Sequence, residues 1–393
     1  WFAGYSITSG QQNTALGYQA LYTEDTGDFN TAIGYQALYT QNRDGTVGNT
    51  AVGYKAGYDM TTGYENTLIG RDAGSNLTSG EENVMLGQSA GATATTQASL
   101  TLLGFRAGLD LNSDDADGTV LIGRSAGENI TSGIGNVAVG AYALDAEDDG
   151  DYNTAIGYQA LSAQTGTSGT VANTAIGYQA GLAITTSHYN TLVGYHAGKS
   201  ITAGAGRSVL IGMRAGDAQT LSQYNVAIGY DAMGANQVGS HNIVIGGAAG
   251  YDLLGPENVI IGSSAGQNLT TSSGSVVIGH EAMYTGTTDK WQVVIGQKAM
   301  YNHPAGAASE GTVAIGYKAM YQSKGSGTGG NVAIGNSTAY NITHGANNVF
   351  VGYQSGFTNT VGSQNTFLGR HSGNKINSGS ECTLLGYGAG WYS

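Results

Sequence analysis

NTAIGYQAL occupies residues 30–38, and its first eight residues return unchanged at 153–160 and at 173–180. Taking Asn30 as position zero puts Gly34 at plus four and Ala37 at plus seven, and the whole chain then aligns to itself. The plus-four glycine recurs at 22 places from Gly17 to Gly386, most of them 17 residues apart, with steps of 16 to 20. Self-similarity at such a period marks a repeat architecture.

Plus one is always Thr, Val or Ile, and plus three is always Ile, Val or Leu. A run of β-branched residues closed by glycine reads as a short strand. A unit of 17 residues with a central glycine is too short for a pair of helices. The expectation is therefore an all-β parallel β-solenoid of about 22 short rungs, one per copy, with 1–12 as an N-terminal lead-in and 13–393 as one continuous array.

Within a rung, plus one and plus three point to one side and plus two to the other. Plus one and plus three are expected to fill the coil. Asn30 and Asn153, at position zero, are expected to form an amide ladder with their equivalents. Ile33 and Ile156 stack in register, Gly34 and Gly157 turn a corner, and Ala37 and Ala160 mark a contact with no room for more than a methyl group. Plus two is never charged. Leu68, Leu102, Leu121, Ile260, Phe350 and Phe367 would then form a second apolar face, the candidate core of a coaxial or intertwined homotrimer.

Beyond plus eight the copies turn polar and variable, as in YTEDTGDF and SNLTSGEE, and the length differences collect there. Plus five is Tyr in ten copies. Tyr18, Tyr35, Tyr158 and Tyr178 are candidate glycan-facing residues, set against a structural reading in which the rings simply stack between rungs. Asp110, Asn112, Asp114 and Asp117 supply oxygens for a candidate calcium site.

Composition excludes several classes. Only 14 Lys and Arg stand against 27 Asp and Glu, a net charge of −13, so a basic nucleic-acid surface is not expected. The single Cys382, at position zero, reads as a small buried residue and permits no intrachain disulfide. No run is long and apolar enough for membrane insertion. The seven His fall at unrelated phases, no nucleophile or zinc motif occurs, and acidic residues gather in outer loops. No catalytic residues and no enzymatic activity are expected. A polysaccharide-degrading enzyme would need paired carboxylates on facing rungs.

Repeats of the NTAIGYQALY type resemble those of phage and phage-like tail-fibre proteins, often found ahead of a self-cleaving chaperone domain. The NTAIG, NVAIG and SVVIG strands are similar to the SVAIG strands in the heads of trimeric autotransporter adhesins. The resemblance covers residues 13–390. It implies a trimeric left-handed β-roll with an apolar intersubunit core, exposed outside the cell or on a virion. The partner would be a host-surface glycan or protein receptor. The longer repeat and the plus-five tyrosines favour the tail fibre over the alternative, a bacterial surface adhesin.

Overall fold

The computed structural model describes residues 1–166, 169–204, 206–303, 310–324 and 329–391. The chain divides into two compact units, Trp1–His196 with Thr202–Gly204, and Ala197–Ile201 with Ala205–Ser393. Each is a parallel β-solenoid. Among the described residues each unit holds eleven three-residue strands, from Thr14–Leu16 to Thr191–Val193 in the first and from Val209–Ile211 to Thr383–Leu385 in the second. The only helix among the described residues is a 3-10 turn at Asp114–Ala116. No helix there is long and apolar enough to cross a membrane.

Register follows the repeat without slippage. Thr31, Ala32 and Ile33 pair with Thr50, Ala51 and Val52 in the first unit. Val276, Val277 and Ile278 pair with Val293, Val294 and Ile295 in the second. The first unit adds two minor ladders where longer loops meet, Gly27–Asp28 on Gly45–Thr46 and Gly150–Asp151 on Gly169–Thr170. The lead-in belongs to the stack too. Gly4 N–H donates to Ala20 C=O at 2.9 Å and Thr8 N–H to Asp25 C=O at 2.8 Å, the bonds a full copy makes.

The interior is filled by a different row from the one expected. Leu68, Leu102, Leu121, Ile260, Phe350 and Phe367 are completely buried inside a single chain. They are therefore not a face awaiting a partner. Plus one and plus three lie outward instead, with Ile69 39% and Ile156 37% exposed and Ile33 half-buried. Strand alternation shows that two faces exist without saying which is inside. The deciding quantity is volume. The opposite wall already brings Ala at plus seven and one larger residue into the coil, so one strand side chain per rung fits and two do not.

That larger residue changes place by a simple exchange. Where plus eight is big, as at Leu38, Leu161 or Met300, plus eleven is polar: Gln41, Gln164 or His303. Where plus eight is Gly57, Gly74 or Gly127, plus eleven is Met60, Leu77 or Ile130. A Cβ on Gly57 would lie 2.8 Å from Leu68 Cδ1 and 3.0 Å from Leu38 Cδ2. Phe350 takes the same space itself, with Gly356 opposite its ring.

Asn at position zero closes each coil. Asn66 Oδ1 accepts the backbone N–H of Asn83 at 3.0 Å, while Asn66 Nδ2 donates to Gly80 C=O at 2.9 Å. The Oδ1 of Asn49 holds Asn66 in the same way at 2.9 Å, and the Oδ1 of Asn136 holds Asn153 at 2.9 Å. Asn30 Oδ1 accepts from the N–H of Asn49 at 3.2 Å. The ladder is thus as much side chain to backbone as amide to amide. It satisfies strand-end groups that would otherwise be buried without partners.

Candidate functional site

Three surfaces run along the repeats: the outward sheet face, the tyrosine corners and the variable loops. The sheet face carries two rows per unit. In the second unit the plus-one row runs Val209, Val226, Ile243, Val259, Val276, Val293, Val313, Val332 and Val349, with Ile or Val at every plus-three position beside them. Ile243 is 42% exposed and Ile334 38%. In the first unit Thr31, Thr50, Thr67, Thr154 and Thr174 supply much of the plus-one row. β-Branched side chains suit such a flat pleated surface. Its apolar content is what sets it apart from a solvated sheet face.

Plus-five tyrosines form columns, as the structural reading anticipates. Tyr18 stacks on Tyr35 at 5.3 Å between ring centroids, and Tyr35 on Tyr54 at 5.2 Å. Tyr158 and Tyr178 stack at 5.3 Å, and Tyr178 and Tyr195 likewise. All six remain exposed, Tyr35 at 43%. A second set of columns, at plus nine, was not anticipated. Tyr5, Tyr22, Tyr39 and Tyr58 stack at 5.2–5.3 Å. In the second unit Tyr284, Tyr301, Tyr321, Tyr340 and Phe357 form a run of five. The signal was present in the sequence, as YT, YT and YD two residues beyond the conserved octapeptide, inside the stretch set aside as variable.

The acidic loops do not gather a metal site. Asp114 Oδ1 accepts from Thr96 Oγ1, and Asp117 Oδ1 accepts the N–H of Ala98 at 2.7 Å. Ser113 caps the small turn by accepting from Asp115 N–H, and Asn112 N–H donates to Thr131 C=O at 3.2 Å. Among the described residues no three His, Cys, Asp or Glu side chains converge. The calcium expectation for Asp110, Asn112, Asp114 and Asp117 is therefore corrected. Loop carboxylates instead cap backbone groups one rung away, as Asp151 does for Ile134 N–H at 2.9 Å. Cys382 is likewise half-exposed rather than buried, because no further rung stacks over it among the described residues.

Acidic and triad-like groups do occur inside the coils. Asp289 Oδ1 lies 2.9 Å from His303 Nε2, and His303 Nδ1 lies 3.2 Å from Ser323 Oγ. All three are sealed from solvent, so they pack the coil and meet no substrate. Glu147 Oε1 accepts from Gly150 N–H at 2.9 Å and from Asp148 N–H at 3.0 Å. Burial pushes the Glu147 carboxyl, and that of Glu24 at the same phase, above the ordinary glutamate range despite these bonds. Burial also raises Asp145, beside Glu147, to about 6.

A carboxyl whose pKa is raised on folding favours the native state most below its unfolded pKa. That advantage is lost as pH rises through the folded value. Glu147→Gln, which copies the chain's own Gln164 and Gln41, is accordingly expected to stabilise the first unit at neutral pH. The gain should vanish below the ordinary glutamate range. Thermal melts of both proteins at a series of pH values measure it, and a constant offset at every pH would contradict the burial argument.

Compared with known families and with curated proteins, the chain matches no family model and no curated protein.

Proposed function

We propose that the chain is the shaft of an attachment fibre, in which three copies pack their outward sheet faces together and present the corners and loops to a host surface. The observation that carries this reading is the outward row of Val, Ile and Thr at plus one and plus three. A parallel sheet with apolar residues on both faces is normally covered on both. The chain's own interior covers one face of each rung. A closed homo-oligomer is the default cover for a repeated stripe, because each copy offers the same surface at the same height. Low charge and the shortage of Lys and Arg fit a surface exposed outside the cell or on a virion, and the tail-fibre resemblance points the same way. The trimer's core consists, on this reading, of residues such as Ile33, Ile69, Ile156, Ile243 and Ile334, and not of the plus-two row.

Light scattering on the purified chain tests the proposal. A mass near three times 40.0 kDa is expected, and Ile156→Asp together with Ile176→Asp should lower it while the β-sheet circular dichroism persists. A wild-type chain that stays monomeric at high concentration would sink the fibre reading.

A further inference from the structure

One segment has an arrangement that stacking alone does not require. In the first unit the plus-five column Tyr18, Tyr35, Tyr54 runs beside the plus-nine column Tyr22, Tyr39, Tyr58, and the plus-six residues lie between them. Phe2, itself at plus six, touches both columns, with ring centroids 6.4 Å from Tyr18 and 6.4 Å from Tyr22. Further along, Gln36 Nε2 donates to Gln19 Oε1 at 2.9 Å. Lys55 then places its ammonium 5.7 Å from the Tyr54 ring and 4.8 Å from Tyr58. The second unit has only part of this design, its plus-nine column standing beside the single plus-five ring of Tyr317 with Gln297 and Asn336 on either side. Lys318 Nζ lies 5.1 Å from Tyr317 and 5.4 Å from Tyr321, over the five-ring column.

The rings are not fully covered by one another. Carbon contacts form at about 3.5–4.0 Å, so near-parallel rings whose centroids are 5.3 Å apart must be slid sideways by roughly 4 Å. Each ring therefore overlaps the next like a shingle and leaves part of its face open. Tyr18, Tyr35 and Tyr54 accordingly keep 41%, 43% and 47% exposure.

We propose that the paired columns of the first unit, with the Gln and Lys row between, are a binding track for a linear, uncharged polysaccharide of β-linked hexopyranoses lying along the rungs. The open ring faces meet the C–H faces of successive sugars, while the plus-six amides and ammonium and the phenol hydroxyls hydrogen-bond the equatorial hydroxyls. Repetition at every rung suits a polymer whose own repeat is a single ring. A polyanion is disfavoured, because the chain carries −13. This inference rests on the attachment reading above and names its ligand class.

The experiment is isothermal titration of the intact chain with β-1,4-linked glucose and N-acetylglucosamine oligosaccharides of increasing length, with heparin alongside and light scattering on every variant. The expected result is affinity that rises with oligomer length, little response to salt, and a drop of at least tenfold when Tyr18→Ala, Tyr22→Ala, Tyr35→Ala and Tyr39→Ala are combined. The segment around Tyr158, Tyr178 and Tyr195 has Ser162, Leu182 and Lys199 at plus nine and is a single column. Combined Tyr158→Ala and Tyr178→Ala should leave binding unchanged. Three results would each overturn the track: no binding of any uncharged oligomer, equal loss from the single-column variant, or tighter salt-sensitive binding of heparin. Sugar binding by a protein that scatters as a monomer would support the track while removing the fibre.

Discussion

Gly123→Ala is expected to open the first unit locally at a cost of several kcal/mol, whereas Gly118→Ala, five residues away, should cost about 1 kcal/mol. Both glycines have positive φ, +139° at Gly123 and +73° at Gly118. The difference lies in what a new Cβ would meet. At Gly118 nothing lies within 4 Å, so the alanine pays only for a left-handed backbone. At Gly123 the Cβ would sit 2.5 Å from the carbonyl oxygen of Gly140 and 2.6 Å from its carbon. Those atoms belong to the next rung's corner, and no flexible side chain is available to move aside. The glycine also lies in a φ region that only glycine visits freely. Hydrogen exchange read by mass spectrometry measures both substitutions. Gly123→Ala should expose the Leu103–Gly123 and Ile122–Gly140 hydrogen bonds, each 2.7 Å in the native stack. Similar protection in the two variants would show that rungs separate more easily than their corner geometry implies.

The corner glycines show how far a repeat can be read without coordinates. Gly34, Ala37 and Asn30 recur at fixed phases, and each has a role that depends only on its own copy and the next. Gly34 approaches Gly53, Ala37 faces the coil interior, and the amide of Asn30 holds its neighbour. Such nearest-neighbour constraints leave their mark at every repeat. The orientation of the strand was a different kind of question. Ile33 and Leu68 are equally apolar, and only the volume supplied by the opposite wall places Leu68 inside and Ile33 out. That balance is written in pairs such as Leu38 with Gln41 and Gly57 with Met60, in the stretch whose variability disguised its regularity. The plus-nine tyrosines were hidden in the same stretch. The acidic loop at 110–117 misled for another reason. Its oxygens are numerous enough for calcium, but in the folded chain Asp114 and Asp117 serve the rung before.

That loop also explains why the asparagine ladder tolerates a gap, and it frames the second large effect. Leu100 stands at position zero, where it accepts nothing. Its own N–H is still held by Asn83 Oδ1 at 2.9 Å. The N–H of Thr119, which an asparagine at 100 would have held, instead donates to Ala116 C=O at 3.2 Å. Ala116 belongs to the inserted turn, so the extra residues of this copy supply the acceptor that the leucine removed. Asn66 has no such substitute. Asn66→Leu would leave Gly80 C=O and the N–H of Asn83 buried without their partner. At about 1–3 kcal/mol for each orphaned group, a loss of roughly 3–5 kcal/mol is expected. Asn66→Ser should cost less, about 1 kcal/mol, because a hydroxyl keeps the acceptor for Asn83 N–H and loses only the amide's reach to Gly80 C=O. The chain itself uses that option: Ser208 Oγ accepts from Asn225 N–H and Ser275 Oγ from Gln292 N–H, both at 3.2 Å. Exchange of the Asn83 amide is the readout, each 1.4 kcal/mol appearing as about a tenfold faster rate. The leucine variant should therefore exchange faster than the serine variant by a factor of ten or more. Equal rates would mean that the Asn83 amide is protected by rung stacking as a whole, and that the ladder fixes register without contributing much stability.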